Sequence, residues 1–484
     1  MSTKKTLVAL TTAAVLLTGC SDDDDRKVDS KPALTKIAIG EQYYPIGFKE
    51  QVQNNLQFFA DMVAVDFYNQ LPVDTMNVYF HDTYVVDNNA NTTAIALYLN
   101  ILTEMERSGD SVARRRLSEA LFKLEEAGRF GGLFLSDYEY ENRYLVSPKD
   151  DSKRNAGKVT VGDNGQILSS LAALAGAYWQ HEDAELAELA QRAHRLILAT
   201  VPGWHKLYDV EENDSGLLRQ GWDYQTNDYL PALADNQATN QRLGALWAVL
   251  LSGGEIPAQA FTGMTTWGTQ IATDGGESLT SLVTPNGGFA DAMVPGLWFD
   301  EAQLITDFSP FENFAGLHVE YAAEYGIPLL SDSFDKFGKA TVYGLDSVSQ
   351  SYYQHGDSNQ TAIGAPYASA LYGLLAPMDA VDQLSQLQTQ LPAIANAAGW
   401  YSLYEYQYDE QSDSVSYLTG SKMSSLHQAL FSASFFADSL RNDVEHYIVN
   451  ALGADAWNDV VQLYATFGID GLCSVEDGCQ RTDR

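Results

Sequence analysis

The sequence predicts an all-α protein, a single (α/α)6 barrel or toroid with aromatic- and Gly-rich loops at one end. Three observations lead there. Apolar residues recur at three- and four-residue intervals in about a dozen segments. No Pro/Ser-rich linker divides the chain. The segments between the periodic stretches are rich in Gly, Trp, Tyr, Asp and Asn.

The elements follow in order. A helix is expected near 52–70, then at 92–107 (Thr92, Ile95, Ala96, Leu99, Leu102) and 111–127 (Ala113, Leu117, Leu121, Leu124). Residues 164–179 repeat Ile167, Leu168, Leu171 and Leu174, and residues 183–200 repeat Leu186, Leu189, Ala193, Leu196 and Ile197. Further helices are expected at 238–252, 313–326, 361–376, 380–392, 424–439 and 442–452. Antiparallel pairs of about 35 residues, repeated around a ring, fill this length; separate bundles are the alternative.

Ahead of the body, Lys4 and Lys5 precede the apolar run Leu7 to Leu17, which ends in Leu17-Thr18-Gly19-Cys20. Basic, apolar and small-residue parts in that order read as a secretory signal. The run is shorter than the ~20 residues a membrane-spanning helix needs. The cysteine makes the cleavage site a lipobox, so residues 1–19 are expected to be removed and Cys20 lipidated. With Ser21 next, sorting to the outer membrane facing the periplasm is expected. Residues 20–40, with four consecutive aspartates from Asp22, read as an acidic tether. The globular domain is assigned to 41–460. A tail follows at 461–484, in which Cys473 and Cys479 are placed to close a disulfide loop in an oxidising compartment.

Asp and Glu number 64 against 29 Lys and Arg, a formal net charge of −35. Such a chain repels nucleic acid and anionic lipid surfaces and suits a neutral partner. With 45% hydrophobic residues it builds a large core. Neither a phosphate-cradling loop nor a nucleophile elbow appears. Asp357-Ser358-Asn359 lacks the ligand spacing of a calcium loop. No metal, no cofactor and a monomer are therefore expected. Loops such as Arg129-Phe130-Gly131-Gly132, Trp222-Asp223-Tyr224, Asn286-Gly287-Gly288-Phe289 and Gly399-Trp400-Tyr401, together with 27 tyrosines, suit sugar rings. Apolar CH faces stack on aromatic rings and hydroxyls take hydrogen bonds. Trp222, Trp298 and Trp400 are the stacking candidates, with core packing as the competing reading.

Several segments, in order along the chain, carry a resemblance. They include Asn91 to Leu99, Arg114 to Glu125, Phe130 to Tyr138, Val159 to Leu168, Asn240-Gln241, Gly288 to Pro295, Tyr321 to Pro328, Ala365-Pro366-Tyr367-Ala368-Ser369, Gly399 to Glu405, and His427-Gln428. Together they resemble the glucoamylase-like superfamily that contains bacterial endo-β-1,2-glucanases and the related module of cyclic β-1,2-glucan synthases. The resemblance spans about residues 52 to 445. It implies an inverting glycoside hydrolase cleaving a neutral β-glucan, most specifically an endo-β-1,2-glucanase. That chemistry needs one carboxylic acid to protonate the leaving oxygen and one carboxylate to activate water.

The resemblance makes Glu405 the first catalytic candidate, on the base side. Asp291 is read as the acid or a subsite ligand, and Asp163 as a catalytic or sugar-hydroxyl group; helix capping competes for both. Asn240, Gln241, Tyr367, Tyr404, His427 and Gln428 are carried over as substrate-binding positions. One departure stands out: the glucanases place a glutamate where this chain has Gln241, and an amide delivers no proton. Asp223, Asp235, Asp291 and Glu301 are the alternatives for the acid. Two other readings stay open, a glycan-binding lipoprotein without turnover and a polysaccharide lyase on the same toroid. His205, His318 and His355 read as structural or plain polar contacts.

Overall fold

The computed structural model describes residues 5–8, 56, 71–79, 83–86, 89–141, 144–148, 157–208, 215–272, 276–396 and 399–481. Cys20, the tether and most of the helix expected at 52–70 lie outside the described residues.

Helices dominate. In chain order the long ones are α1 (Thr92–Arg107), α2 (Ser111–Glu126), α3 (Val161–Ala177), α4 (Ala184–Leu198) and α5 (Gln241–Leu251). They are followed by α6 (Phe289–Met293), α7 (Ser309–Tyr325), α8 (Pro366–Tyr372) and α9 (Pro377–Gln390), then α10 (Ser425–Ala433), α11 (Ala437–Tyr447) and α12 (Ala454–Ala465). The last was not anticipated and runs across the boundary drawn at 460. Local chemistry sets their starts: the side chains of Asn91, Asp110, Thr160 and Asp183 each accept a first-turn backbone N–H.

Burial separates two kinds of helix. In α1 every residue from Thr92 to Met105 is buried, and in α3 only Asp163 breaks the run from Val161 to Gly176. A helix apolar on all sides belongs in the middle of a molecule. By contrast α2 and α4 bury one stripe each, Ala113, Leu117, Ala120, Leu121 and Leu124 in the first case. The central helix α3 packs on α1, α4, α5 and α11; α1 also packs on α2 and α10, and α8 on α6, α9 and α10.

The all-α expectation is corrected by a set of short strands. They escape the periodicity because most are only 2–6 residues long, as in Asp137–Glu141, where alternating burial is confined to five residues. Their positions are systematic. Asn89–Asn91 and Lys158–Thr160 run directly into the starts of α1 and α3, Ile363–Gly364 reaches α8 after the single residue Ala365, and Lys422–Ser424 runs directly into α10. Their partners are Asp137–Glu141, Gly221–Asp223, Tyr404–Asp409 and Thr75–Tyr79 respectively. The hairpin edges thus aim helix N-termini.

At the opposite, C-terminal ends of α1 and α3 lies α11. Its Asp443 pairs with Arg107 at 2.6 Å, His446 Nδ1 meets Gly176 O at 2.8 Å, and Arg441 donates to Gly296 O at 2.8 Å. The disulfide Cys473–Cys479 is formed and closes the hairpin Gly471–Ser474 and Gly478–Arg481. That hairpin extends the sheet of Trp267–Ala272 and Ser278–Val283 through a parallel pairing. Among the described residues no helix is long and apolar enough to cross a membrane.

Candidate functional site

The helix starts bring together residues from distant parts of the chain. On one side Thr160 and Asp163 bond reciprocally: the hydroxyl donates to Asp163 Oδ2 at 2.6 Å and accepts from the Asp163 amide at 3.2 Å. Asp163 Oδ1 also accepts from Thr93 Oγ1 at 3.5 Å, linking the starts of α3 and α1. The cap of α3 is thus Thr160 rather than Asp163, whose half-exposed first-turn carboxylate accepts from two hydroxyls. Next to it, Asn240 leans over Gly162, where an added Cβ would come within 2.4 Å of Asn240 Oδ1. Gln241, the first residue of α5, accepts the Asn236 amide on Oε1 at 3.4 Å, and Asn236 Nδ2 donates to Gln350 Oε1 at 3.2 Å.

The other side is built on Tyr367, at the start of α8. Its hydroxyl lies 3.0 Å from Ser331 Oγ and 2.9 Å from Asp332 O, and Ser331 Oγ also accepts the Ala290 amide at 3.2 Å. Burial first, then the charges of Asp332 and Asp291, hold this phenol far above its usual range, so it keeps its proton. His427, at the start of α10, stacks on the Tyr367 ring with centroids 4.2 Å apart. Burial pushes the imidazole down to about 3, so it is neutral, and Nδ1 is buried with no protein hydrogen-bond partner.

Asp291 and Glu405 each lie in the neighbourhood of Tyr343, Asp291 toward its backbone and Glu405 toward its phenol. A Cβ on Gly288 would lie 3.5 Å from both Asp291 Oδ2 and Tyr343 O. The Tyr343 phenol is raised by burial first, and among smaller causes by the charges of Asp335 and Glu405. Both carboxylates are half-buried. Glu405 Oε1 accepts from Gln407 Nε2 at 3.1 Å, and its strand pairs with Ile363–Gly364 just before α8.

Four of the substrate-binding assignments are corrected by burial. Trp298 is fully buried and donates through Nε1 to Asn100 Oδ1. Trp400 is buried with its ring against Phe431. Tyr404 is buried, its hydroxyl on Gln390 Oε1. Gln428 spends both ends of its amide on the Trp400 backbone. All four side chains are packed into the interior. Trp222 is half-buried, stacked on Phe130 at 4.5 Å across the strand that leads into Asp163. Glu301 drops out as an acid because it forms a buried bidentate pair with Arg242 at 2.7 and 2.6 Å. Asp223 is engaged in a turn, accepting from the Gln225 and Thr226 amides. Ser331, Tyr343 and Gln350 had no sequence signal: the first two are single polar residues in loops and the third opens the short helix Gln350–His355.

No family model matches the sequence, and no curated protein matches it. Solved structures do. The endo-β-1,2-glucanase of Chitinophaga pinensis, complexed with sophorotriose and glucose, superposes with a TM-score of 0.64 at 12% identity, over 86% of this chain and 97% of that one. The endo-β-1,2-glucanase of Talaromyces funiculosus, complexed with sophorose, gives 0.68 at 11% identity over 89% and 92%. A glutamate-to-glutamine variant of the Talaromyces enzyme was captured with β-1,2-glucan. A Bacteroides caccae protein with a provisional glucoamylase name gives 0.65 at 11% identity over 86% and 98%. The chain is thus a helical protein with the fold of glucoamylase-like structures. Endo-β-1,2-glucanases are among its structural neighbours, in agreement with the sequence resemblance.

Proposed function

We propose that this protein is a glycoside hydrolase acting on a neutral β-glucan, most specifically a β-1,2-linked one, built as a single (α/α)6 toroid. The observation that carries the reading is the fold shared with endo-β-1,2-glucanases, with Asp291 close to the Tyr367–His427 stack and Glu405 on the strand paired just ahead of α8. In the proposed mechanism Asp291 protonates the leaving glycosidic oxygen and Glu405 takes a proton from the attacking water. Inversion needs a carboxyl separation of ~6.5–9.5 Å, which leaves room for that water. Tyr367 stays protonated and holds Ser331 and the loop beside Asp291. Neutral His427, Asn240 and Gln241 supply hydrogen bonds to hydroxyls, Asp163 accepts from one, and Trp222 offers an aromatic face. No cofactor enters the chemistry.

The surface charge of −35 favours a neutral polymer. The leader supports lipid anchoring at Cys20 in the outer membrane, facing the periplasm, with a monomeric domain held on the tether.

Gln241 favours a second reading. An amide where the resemblance places a glutamate suits a protein that binds glucan without cleaving it. One panel separates the possibilities: linear β-1,2-glucan, other β-glucans and alginate, followed by reducing ends and by the ultraviolet absorbance of an unsaturated uronate. Reducing ends without absorbance support the hydrolase. Absorbance indicates a lyase, and retained binding with neither signal indicates the binder.

A further inference from the structure

The hairpin of Ser333–Phe334 and Ala340–Thr341 hangs from the same wall as Tyr367 and His427. Tyr367 contacts Asp332 O at its base, and the Phe334 ring lies 5.8 Å from His427. The connecting turn is fastened. Asp335 Oδ1 accepts the amides of Phe337 and Lys339, both at 2.9 Å, and the Gly338 amide donates to Asp335 O at 2.9 Å. From outside the hairpin, Lys422 Nζ donates to Gly338 O at 3.2 Å and sits 4.6 Å from the Phe334 ring centroid.

At the tip stands Phe337, 84% exposed, the most exposed bulky apolar side chain among the described residues. Its ring touches Lys336, whose Nζ is 5.4 Å from the centroid. The core gains nothing from this ring, yet the turn that presents it is held by its own Asp335 and by Lys422 from the strand Lys422–Ser424. Asp335 and Glu405 both act on Tyr343, so the hairpin base and the candidate base share a neighbour.

We propose that Phe337 is a remote sugar-stacking residue that sets preference for long chains. A glucan seated beside Tyr367 and His427 extends along the hairpin and lays the CH face of a distant pyranose on the phenyl ring. This rests on the glucan reading above and adds to it a determinant of chain length. Phe337 takes no part in bond cleavage. On this reading polymer binding depends on Phe337 and disaccharide binding does not.

The test uses the full chain carrying Glu405→Gln, to prevent turnover, with and without Phe337→Ala or Phe337→Trp. Calorimetry measures binding of sophorose and of linear β-1,2-glucan. Phe337→Ala is expected to weaken polymer binding roughly three- to tenfold, the worth of one aromatic contact. Sophorose binding stays within about twofold and Phe337→Trp restores the polymer. Polymer binding indifferent to Phe337 overturns this inference alone. A parent that binds neither ligand overturns the glucan reading and this inference with it. Light scattering covers the other occupant: a concentration-dependent dimer lost in Phe337→Ala assigns the ring to a second copy of the chain and overturns the proposal.

Discussion

The imidazole of His427 lies nearly flat on the phenol of Tyr367, with the ring planes 18° apart and Nδ1 left without a protein partner. A buried polar atom without a partner is costly by roughly 1–3 kcal/mol, and functional sites are where such costs are tolerated. The stack joins the starts of α8 and α10, and places a neutral hydrogen-bonding group next to the segment that carries Asp291.

Glu405→Gln and Asp291→Asn are each expected to lower turnover of linear β-1,2-glucan by about 10²–10⁴-fold, the usual share of a general acid or base. Asp163→Asn is expected to act more on KM than on kcat. Initial rates of reducing-end release check all three, and full activity in either of the first two removes that residue from the mechanism.

Gln241→Glu is expected to change turnover less than about tenfold while Asp291 is intact, and not to rescue Asp291→Asn. A gain of two orders of magnitude moves proton delivery to position 241 and makes the natural chain a binder. The same reducing-end assay decides.

Glu301→Gln strands the Arg242 guanidinium, which is fully buried and paired with a carboxylate only 3% exposed. Breaking one partner of a buried pair typically costs about 3–5 kcal/mol. The urea midpoint is expected to fall markedly while activity per folded molecule persists.

Acid should weaken the fold through its buried histidines. Burial pushes His427 and His318 each down to about 3, against ~6.5 in the unfolded chain. Below pH ~6.5 the unfolded chain takes up protons that the folded one refuses, so stability present above that pH is lost as pH falls toward 3. The slope is up to about 1.4 kcal/mol per pH unit for each histidine. Glu104 and Asp443, raised by burial, work in the opposite sense. Urea unfolding between pH 7 and 4 is expected to show a shallower decline in His427→Asn than in the parent.

Cys473→Ser with Cys479→Ser is expected to cost roughly 2 kcal/mol, given the short loop. The hairpin they close sits beside Thr265, which bonds Arg481 and, through its backbone, Gln237 and Asp235. Thermal unfolding in the presence and absence of a reductant checks this, with the double variant insensitive to reductant.

Helix positions were legible because burial imposes a repeat that any long helix shows. Thr92–Arg107 and Ala184–Leu198 fall within two residues of expectation, whereas the helix expected at 361–376 shortens to Pro366–Tyr372 and the one expected at 424–439 divides between Ser425–Ala433 and Ala437–Tyr447. The strands were not, since two or three residues carry no alternation. Within the site, the sequence resemblance singled out Asp163, Asn240, Gln241, Asp291, Tyr367 and His427, all of which the structure sets at or near helix starts. Trp298, Trp400, Tyr404 and Gln428 came from the same kinds of segment. What separates the two groups is which way each side chain turns from its backbone. Composition cannot reveal that: an aromatic ring that stacks on a sugar and one that fills a core have the same chemistry.

The seam between α3 and α5 has a practical consequence. A methyl on Gly165 would come within 2.3 Å of the Gly244 amide, and one on Gly244 within 2.2 Å of Val161 O. Neither helix can be slid, rotated or thickened there, so the span from Asp163 to Asn240 is a fixed ruler. Attempts to retune what this protein accepts are best spent on the hairpins, with that ruler left untouched.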